Sequence, residues 1–244
     1  YTVACSHLGG NRRYRRYSGR FGTRPTGKSA GVTPLYRQLV KKMNAKIENE
    51  VLAVSNNQLL KHTIQVHKFG GSSLASTQCI RRVVDIIQQH CQINDIIVVS
   101  ANGGTTDALF SILEQASAHD AALPESIKAL ELSQQELVAS LLNKGSAARL
   151  LEQLTNDIEQ LKQWLHEDLA IHTNDILAFG EVWSARLLSA VLNQQVCPSH
   201  MADARDFLRI DNEVDCNVAL LESIDNFRQF EKLNSLTVVT GYIS

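Results

Sequence analysis

Alternating strand and helix patterns predict an α/β domain for this 244-residue chain: a three-layer α/β/α sandwich with a mainly parallel sheet. Two observations carry the prediction. Ile96-Ile97-Val98-Val99 is a short unbroken apolar run, the mark of a strand buried on both faces. Elsewhere the apolar residues return at helical spacing, first at Ile80, Val83, Val84 and Ile87.

The first strand is predicted over Thr63–Phe69, where apolar and polar residues alternate as in a half-buried strand. It runs into Gly70-Gly71-Ser72-Ser73, and Ser72 or Ser73 is a natural N-cap for the helix that holds Ile80 to Ile87. After the second strand ends at Ser100, Gly103-Gly104 makes a flexible loop, followed by a helix from about Thr106 to Gln115. Pro124 opens a long helix with Ile127, Leu130, Leu137 and Leu141 on one face and Gly145 as its stop. Leu151, Leu154, Ile158, Leu161 and Leu165 form a second stripe, so a helical hairpin on or beside the sheet is expected. Ile176–Phe179 precedes Gly180-Glu181, and Leu187, Leu188, Val191 and Leu192 mark the next helix. Glu181 then stands near a helix N-terminus, where acids are favoured in any case. A weak strand is expected near Val196–Met201 and a clear one over Leu236–Thr240.

Composition narrows the class. Hydrophobic residues at 44% and charged residues at 20% are ordinary for a soluble globular protein. No apolar run approaches the roughly 18 residues of a membrane span, so no membrane partner is expected. Cys5, Cys79, Cys91, Cys197 and Cys216 are odd in number and never in a C-x-x-C pair. That argues against a disulfide framework or a zinc site and fits a reducing cytoplasm; no metal ligands are assigned.

The net charge of -1 hides an asymmetry. Residues 1–42 hold ten of the 24 Lys and Arg and no Asp or Glu, leaving 14 basic and 25 acidic residues in the remainder. A nucleic-acid-binding arm, an Arg-rich targeting peptide and non-native sequence all fit such a segment. The first methionine is Met43, and regular patterning begins soon after it. The expectation is that Met43 is the natural start, with 1–42 non-native or disordered, 43–62 an N-terminal extension and 63–244 the folded domain. N-terminal sequencing of the natural protein tests this; a mature chain containing Arg12 to Lys42 overturns it.

Gly22 to Ser29, GTRPTGKS, fits the phosphate-loop pattern G-x-x-x-x-G-K-S/T. A working loop follows a strand and opens a helix, so that backbone N–H groups and the helix N-terminus hold the anion together. Here Arg15–Phe21 is no buried strand, and Pro34 interrupts the required helix. The match is read as chance.

Val66-His67-Lys68-Phe69-Gly70-Gly71-Ser72-Ser73 has the missing context. A strand delivers two glycines that let a polyphosphate approach the backbone, and a helix N-terminus follows. Lys68 adds a mobile ammonium. A Gly-Gly turn beside a solvated lysine is the bland alternative on pattern alone.

Lys68-Phe69-Gly70-Gly71-Ser72-Ser73 resembles the K-F-G-G-S/T-S signature of aspartate kinases, within the amino-acid kinase superfamily. Val98 to Thr106 resembles the family's V-V-S-A-x-x-G-x-T loop, Phe179-Gly180-Glu181 its G-E segment, and Val238 to Ile243 its V-x-x-G-F/Y-I strand end. More narrowly, His67–Ala75, Gly180–Leu187 and Asp203–Leu208 resemble the N-terminal kinase part of bacterial bifunctional aspartokinase/homoserine dehydrogenases. The resemblance covers about Thr63 to Ser244, and four motifs occur in the family's order.

The resemblance implies a fold of the amino-acid kinase type and transfer of the ATP γ-phosphoryl group to the side-chain carboxylate of L-aspartate. The product is 4-phospho-L-aspartate, the first step towards lysine, methionine and threonine. Such a reaction needs positioning and charge neutralisation more than a strong base. It implies that Lys68 and the amides of Gly70, Gly71 and Ser72 hold the phosphates, with Lys68 catalytic. Thr106 offers a hydroxyl to aspartate, and Glu181 receives the substrate ammonium or orients Lys68. ATP arrives with Mg2+, and the full-length protein is expected to be a cytoplasmic homo-oligomer. Asp107 stands where the family usually has Asn. The G-R-G-G-S-D-like nucleotide loop and the G-x-G-x-x-G dinucleotide fingerprint have no match, so a C-terminally truncated kinase domain without an NAD(P) site is expected. Alternatives are a non-catalytic nucleotide-binding remnant, another amino-acid kinase such as one acting on N-acetylglutamate, and a nucleic-acid binder resting wholly on residues 1–42.

Overall fold

The computed structural model describes residues 64–167, 169–211, 217–218, 220–230 and 234–241. They belong to the unit Ile64–Ser244; the other unit, Tyr1–Thr63, lies outside the described residues, and with it the basic segment, Met43 and the GTRPTGKS stretch. The chain runs β1 (Val66–Phe69), a 3-10 turn (Gly71–Leu74), α1 (Thr77–His90), β2 (Ile96–Val99), α2 (Thr105–Ser117), α3 (Leu123–Leu141) and α4 (Lys144–Leu165). It continues through α5 (Leu169–Gln195), β3 (Ser199–Ala202), α6 (Ala204–Phe207), β4 (Ile210–Asp211), β5 (Asn217–Val218), α7 (Leu220–Phe227), a second 3-10 turn (Arg228–Phe230) and β6 (Leu236–Thr240).

Four strands form one sheet in the order β1-β2-β6-β3, and every neighbouring pair is parallel. Val66 lies beside Ile96, which lies beside Thr237. β4 and β5 form a separate antiparallel pair. The central strands are apolar on both faces because both faces are covered. Ile97, Val99, Leu236 and Val238 pack with Ile80, Val83, Val84 and Ile87 of α1 and Leu188, Val191 and Leu192 of α5. Each fully buried aliphatic side chain there contributes about 1.5–3 kcal/mol, which is what holds α1 to the sheet. On the other face Val239 and Ala202, with Ile96 and Val98, meet Phe207, Phe227 and Phe230. The rings of Phe207 and Phe227 meet edge to face, their centroids 4.8 Å apart. These are the three predicted layers. A second core beside the sheet joins α2, α3, α4 and α5 through Leu109, Leu130, Ile158, Leu161 and Ile176, with α3 and α4 as the expected hairpin.

Four local expectations are corrected. Two apolar side chains of the first strand do not face inward: Val66 is 62% exposed and Ile64 is exposed, while His67 and Phe69 are half-buried. Among the described residues β1 is an edge strand, and only the face bearing Phe69 meets the main core. Neither Ser72 nor Ser73 caps α1; the 3-10 turn intervenes, and Ser76 Oγ accepts from the Cys79 N–H at 3.2 Å. Gly145 does not stop a helix but lies in the first turn of α4, which Asn143 caps by accepting from the Ser146 N–H at 3.0 Å. Finally, one 27-residue helix, α5, runs straight through Gly180-Glu181, so Glu181 is mid-helix.

Candidate active site

Parallel strands deliver their C-terminal ends to one edge of the sheet, where ligands of open α/β sheets bind. At that edge the turn after β1, the loop after β2, the first turn of α2 and the middle of α5 enclose a cleft of about 300 Å³. Gly71, Ser72, Asn102, Thr106, Asp107 and Glu181 are among the residues in its wall.

Glu181 reaches the cleft because α5 lies against the loop after β2. A Cβ on Gly180 would stand 2.8 Å from the Ala101 Cβ, closer than real carbon contacts, so the missing side chain sets the approach. Glu181 is 6% exposed, and its Oε1 accepts from the Ala101 N–H at 3.1 Å. Burial pushes its carboxyl above the ordinary range, against the opposing pull of that hydrogen bond.

The loop itself is held by a buried polar chain. Asn102 Nδ2 donates to Gln134 Oε1 at 3.1 Å, and Gln134 Nε2 donates to Thr105 Oγ1 at 3.0 Å. Asn102 is 3% exposed, and its Oδ1 has no partner among the described residues. Gly104, at φ +80°, takes the left-handed conformation that turns the chain into α2. The Thr105 N–H is taken by the Asn102 carbonyl at 3.0 Å and the Ser73 N–H by the Gly70 carbonyl, whereas the N–H groups of Gly71, Ser72, Thr106 and Asp107 make no hydrogen bond among the described residues and remain donors for an anion.

Of the residues singled out from the sequence, the fold brings Gly71, Ser72, Thr106 and Glu181 together around the cleft. Lys68 and Gly70 are not in its wall. Lys68 is exposed on β1 and its ammonium makes no hydrogen bond or ion pair among the described residues, while the Gly70 carbonyl accepts from the Ser73 N–H at 2.9 Å. Arg186 and Asp175 are engaged elsewhere: Arg186 pairs with Asp157, which also accepts from the Trp183 indole N–H at 2.9 Å, and Asp175 pairs with Arg205 at 2.9 Å. Asn102, Thr105 and Gln134 were missed as site residues. The signal for Gln134 was present: it interrupts the apolar stripe of α3 between Leu130 and Val138, where an unpaired amide would be costly.

Similarity to known proteins agrees with this geometry. Residues 63–244 match the Amino acid kinase family. The bifunctional aspartokinase/homoserine dehydrogenase 2 of Escherichia coli (strain K12) is 36% identical over 190 residues, which cover 74% of this chain and 23% of that protein. The chloroplastic bifunctional aspartokinase/homoserine dehydrogenase of Daucus carota is 29% identical over 191 residues, covering 73% of this chain and 20% of that one. The chain thus spans less than a quarter of the length of these relatives. The crystal structure of E. coli aspartokinase III in complex with aspartate and ADP shares the fold, with a TM-score of 0.56 at 21% identity over 72% of this chain and 40% of that chain. By the family match across residues 63–244, this chain belongs to the amino acid kinase family.

Proposed function

We propose that this chain carries the substrate-gripping part of an aspartate kinase, which moves the γ-phosphoryl group of ATP to the side-chain carboxylate of L-aspartate. One observation supports it above the rest: Gly180 lets α5 press Glu181 into the wall of the cleft that also holds Gly71, Ser72 and Thr106. A half-buried hydroxyl and a buried carboxyl on one side suit an amino acid, and free amides on the other suit phosphate oxygens.

In this reading the attacking carboxylate is already ionised, so the residues position and neutralise rather than deprotonate. The amides of Gly70, Gly71 and Ser72 receive phosphate oxygens, and Lys68 swings from the strand end to neutralise the transferring group. Thr106 donates its hydroxyl to aspartate. Glu181, already fixed through Ala101, is better placed to receive the substrate ammonium than to orient an exposed Lys68. Mg2+ enters with the nucleotide as part of the substrate. The parent protein works as a cytoplasmic homo-oligomer, in the biosynthesis of methionine, threonine and lysine. Among the described residues no helix is long and apolar enough to cross a membrane.

A second reading is favoured by one feature of the cleft: among the described residues its wall holds no Lys or Arg. This is the non-catalytic nucleotide-binding remnant. An aspartyl-hydroxamate assay on the full-length parent protein separates the two. The kinase reading expects turnover that falls at least 100-fold in Lys68→Ala and in Glu181→Gln, with the fold intact by circular dichroism. ATP binding without hydroxamate formation in the unmutated protein overturns it in favour of the remnant.

A further inference from the structure

Opposite the cleft, where the strands begin, three side chains of different chemistry converge. His67 comes from β1, Cys91 is the residue that ends α1, and Asp95 immediately precedes β2. One ligand-type atom of each lies within 4.8 Å of the others. Asp95 is 3% exposed, while His67 and Cys91 are half-buried, so the cluster is anchored on the inside and reachable from outside.

The carboxylate is held as a metal-binding carboxylate is held. Its Oδ1 accepts from the Gln65 N–H at 2.9 Å and its Oδ2 from the Gln92 N–H at 2.8 Å, so backbone groups fix its plane. The remaining contact, His67 Nε2 to Asp95 Oδ2, is 3.3 Å, long for a charge-assisted hydrogen bond. That separation is compatible with a shared ion: two ligand atoms each about 2.0–2.1 Å from a tetrahedral zinc stand about 3.3–3.4 Å apart. The Cys91 Sγ, within 4.8 Å of both, is the third donor, for which zinc takes a bond of about 2.3 Å.

We propose that His67, Cys91 and Asp95 form a binding site for a divalent transition ion of the zinc class, with the fourth position open to solvent. The mixed nitrogen, sulfur and oxygen set selects zinc or cobalt over magnesium and calcium, which take oxygen ligands. On binding, the Cys91 sulfur gives up its proton to solvent and bonds the ion. The ion then ties β1, the end of α1 and the start of β2 together. β1 and α1 are the elements on either side of the Gly70–Ser73 turn, so the site braces from its far end the unit that presents Lys68. The sequence misses this set because His67 stands 24 positions before Cys91, with no paired-ligand spacing.

The test is titration of the whole 244-residue chain with Co2+, watching the thiolate-to-cobalt charge-transfer band in the near ultraviolet and the tetrahedral visible bands. One equivalent is expected, with zinc displacing cobalt. Cys91→Ser abolishes the charge-transfer band, and Cys197→Ser leaves it intact. His67→Gln, which keeps a polar partner for Asp95, keeps the band but weakens binding at least 10-fold, and decides the matter if Cys91→Ser fails to fold. Zinc raises the thermal midpoint of the unmutated chain and not of His67→Gln. Absence of the band, or a band that survives Cys91→Ser, overturns the assignment.

Discussion

Glu181 and Ala101 stand 80 positions apart in the chain, yet the carboxylate of one accepts the backbone N–H of the other at 3.1 Å in a buried setting. That bond joins the middle of α5 to the loop that follows β2, and so fixes one wall of the cleft.

Replacing Glu181 separates its two duties. Glu181→Gln keeps an acceptor for the Ala101 N–H, whereas Glu181→Ala leaves that buried group unpaired at a cost of about 1–3 kcal/mol. Urea denaturation is expected to rank unmutated protein and Glu181→Gln above Glu181→Ala. Equal stability of the Gln and Ala variants would show that the bond is not made.

The same residue sets a pH dependence. Burial raises its pKa in the folded state, while the unfolded chain keeps the ordinary value near 4.3. A raised folded value means stability that is fully present below the unfolded value and lost as pH rises through the folded one. The unmutated protein should therefore lose stability relative to Glu181→Gln as pH climbs from about 4.3, and level off above the raised value. Denaturation midpoints across that range check this, and a constant difference removes it.

Asp203 titrates in the opposite sense. Burial alone would push its carboxyl up, but hydrogen bonds from the Arg205 side chain and backbone, with the charges of Arg205 and Arg186, outweigh it and hold the carboxyl below the ordinary range. Its contribution is present above the ordinary Asp value and disappears as pH falls through the lowered one. In acid titrations Asp203→Asn should flatten the fall in stability between those two values; an unchanged acid limb would count against the pairing.

Gly180 tests the close approach of helix and loop. Alanine in a helix interior ordinarily gains about 1 kcal/mol over glycine. Here the new Cβ meets Ala101 at 2.8 Å, and overpacking of this kind costs about 1–3 kcal/mol. Gly180→Ala should be neutral or destabilising despite the propensity gain, and adding Ala101→Gly should restore stability. A double-mutant cycle with no coupling between the two would refute the contact.

Val66 tests the edge strand. An exposed apolar residue on a strand that, among the described residues, lies at the sheet edge invites pairing between chains. Val66→Lys should reduce self-association seen by light scattering while shifting stability by less than about 0.5 kcal/mol. Unchanged association would place the sticky surface elsewhere.

The sequence by itself determined the elements whose burial is complete and local. Ile96–Val99 and Leu236–Thr240 are strands within the predicted bounds, and Ile80, Val83, Val84 and Ile87 mark the buried face of α1. An unbroken apolar run or a full helical stripe leaves few alternatives, because any other conformation exposes it to water. The turns at Gly70–Gly71 and Gly103–Gly104 were legible because paired glycines follow closely on strands there.

Tertiary structure alone decided the rest. Gly180 read as a break because glycine weakens helices, but packing of α5 on Ala101 more than offsets that cost and carries the helix through. Gly145 was likewise absorbed by α4, since Asn143 had already capped it. The exposed face of β1 followed from its place at the sheet edge, which no alternation pattern encodes. The pairs Asn102–Gln134 and Gln134–Thr105, and the approach of His67 to Cys91 and Asp95, bring together residues 24 to 32 positions apart. Residues meet at such separations only when the whole sheet and its helices are in place, because it is the packed core, not local preference, that bears the entropy cost of bringing them together.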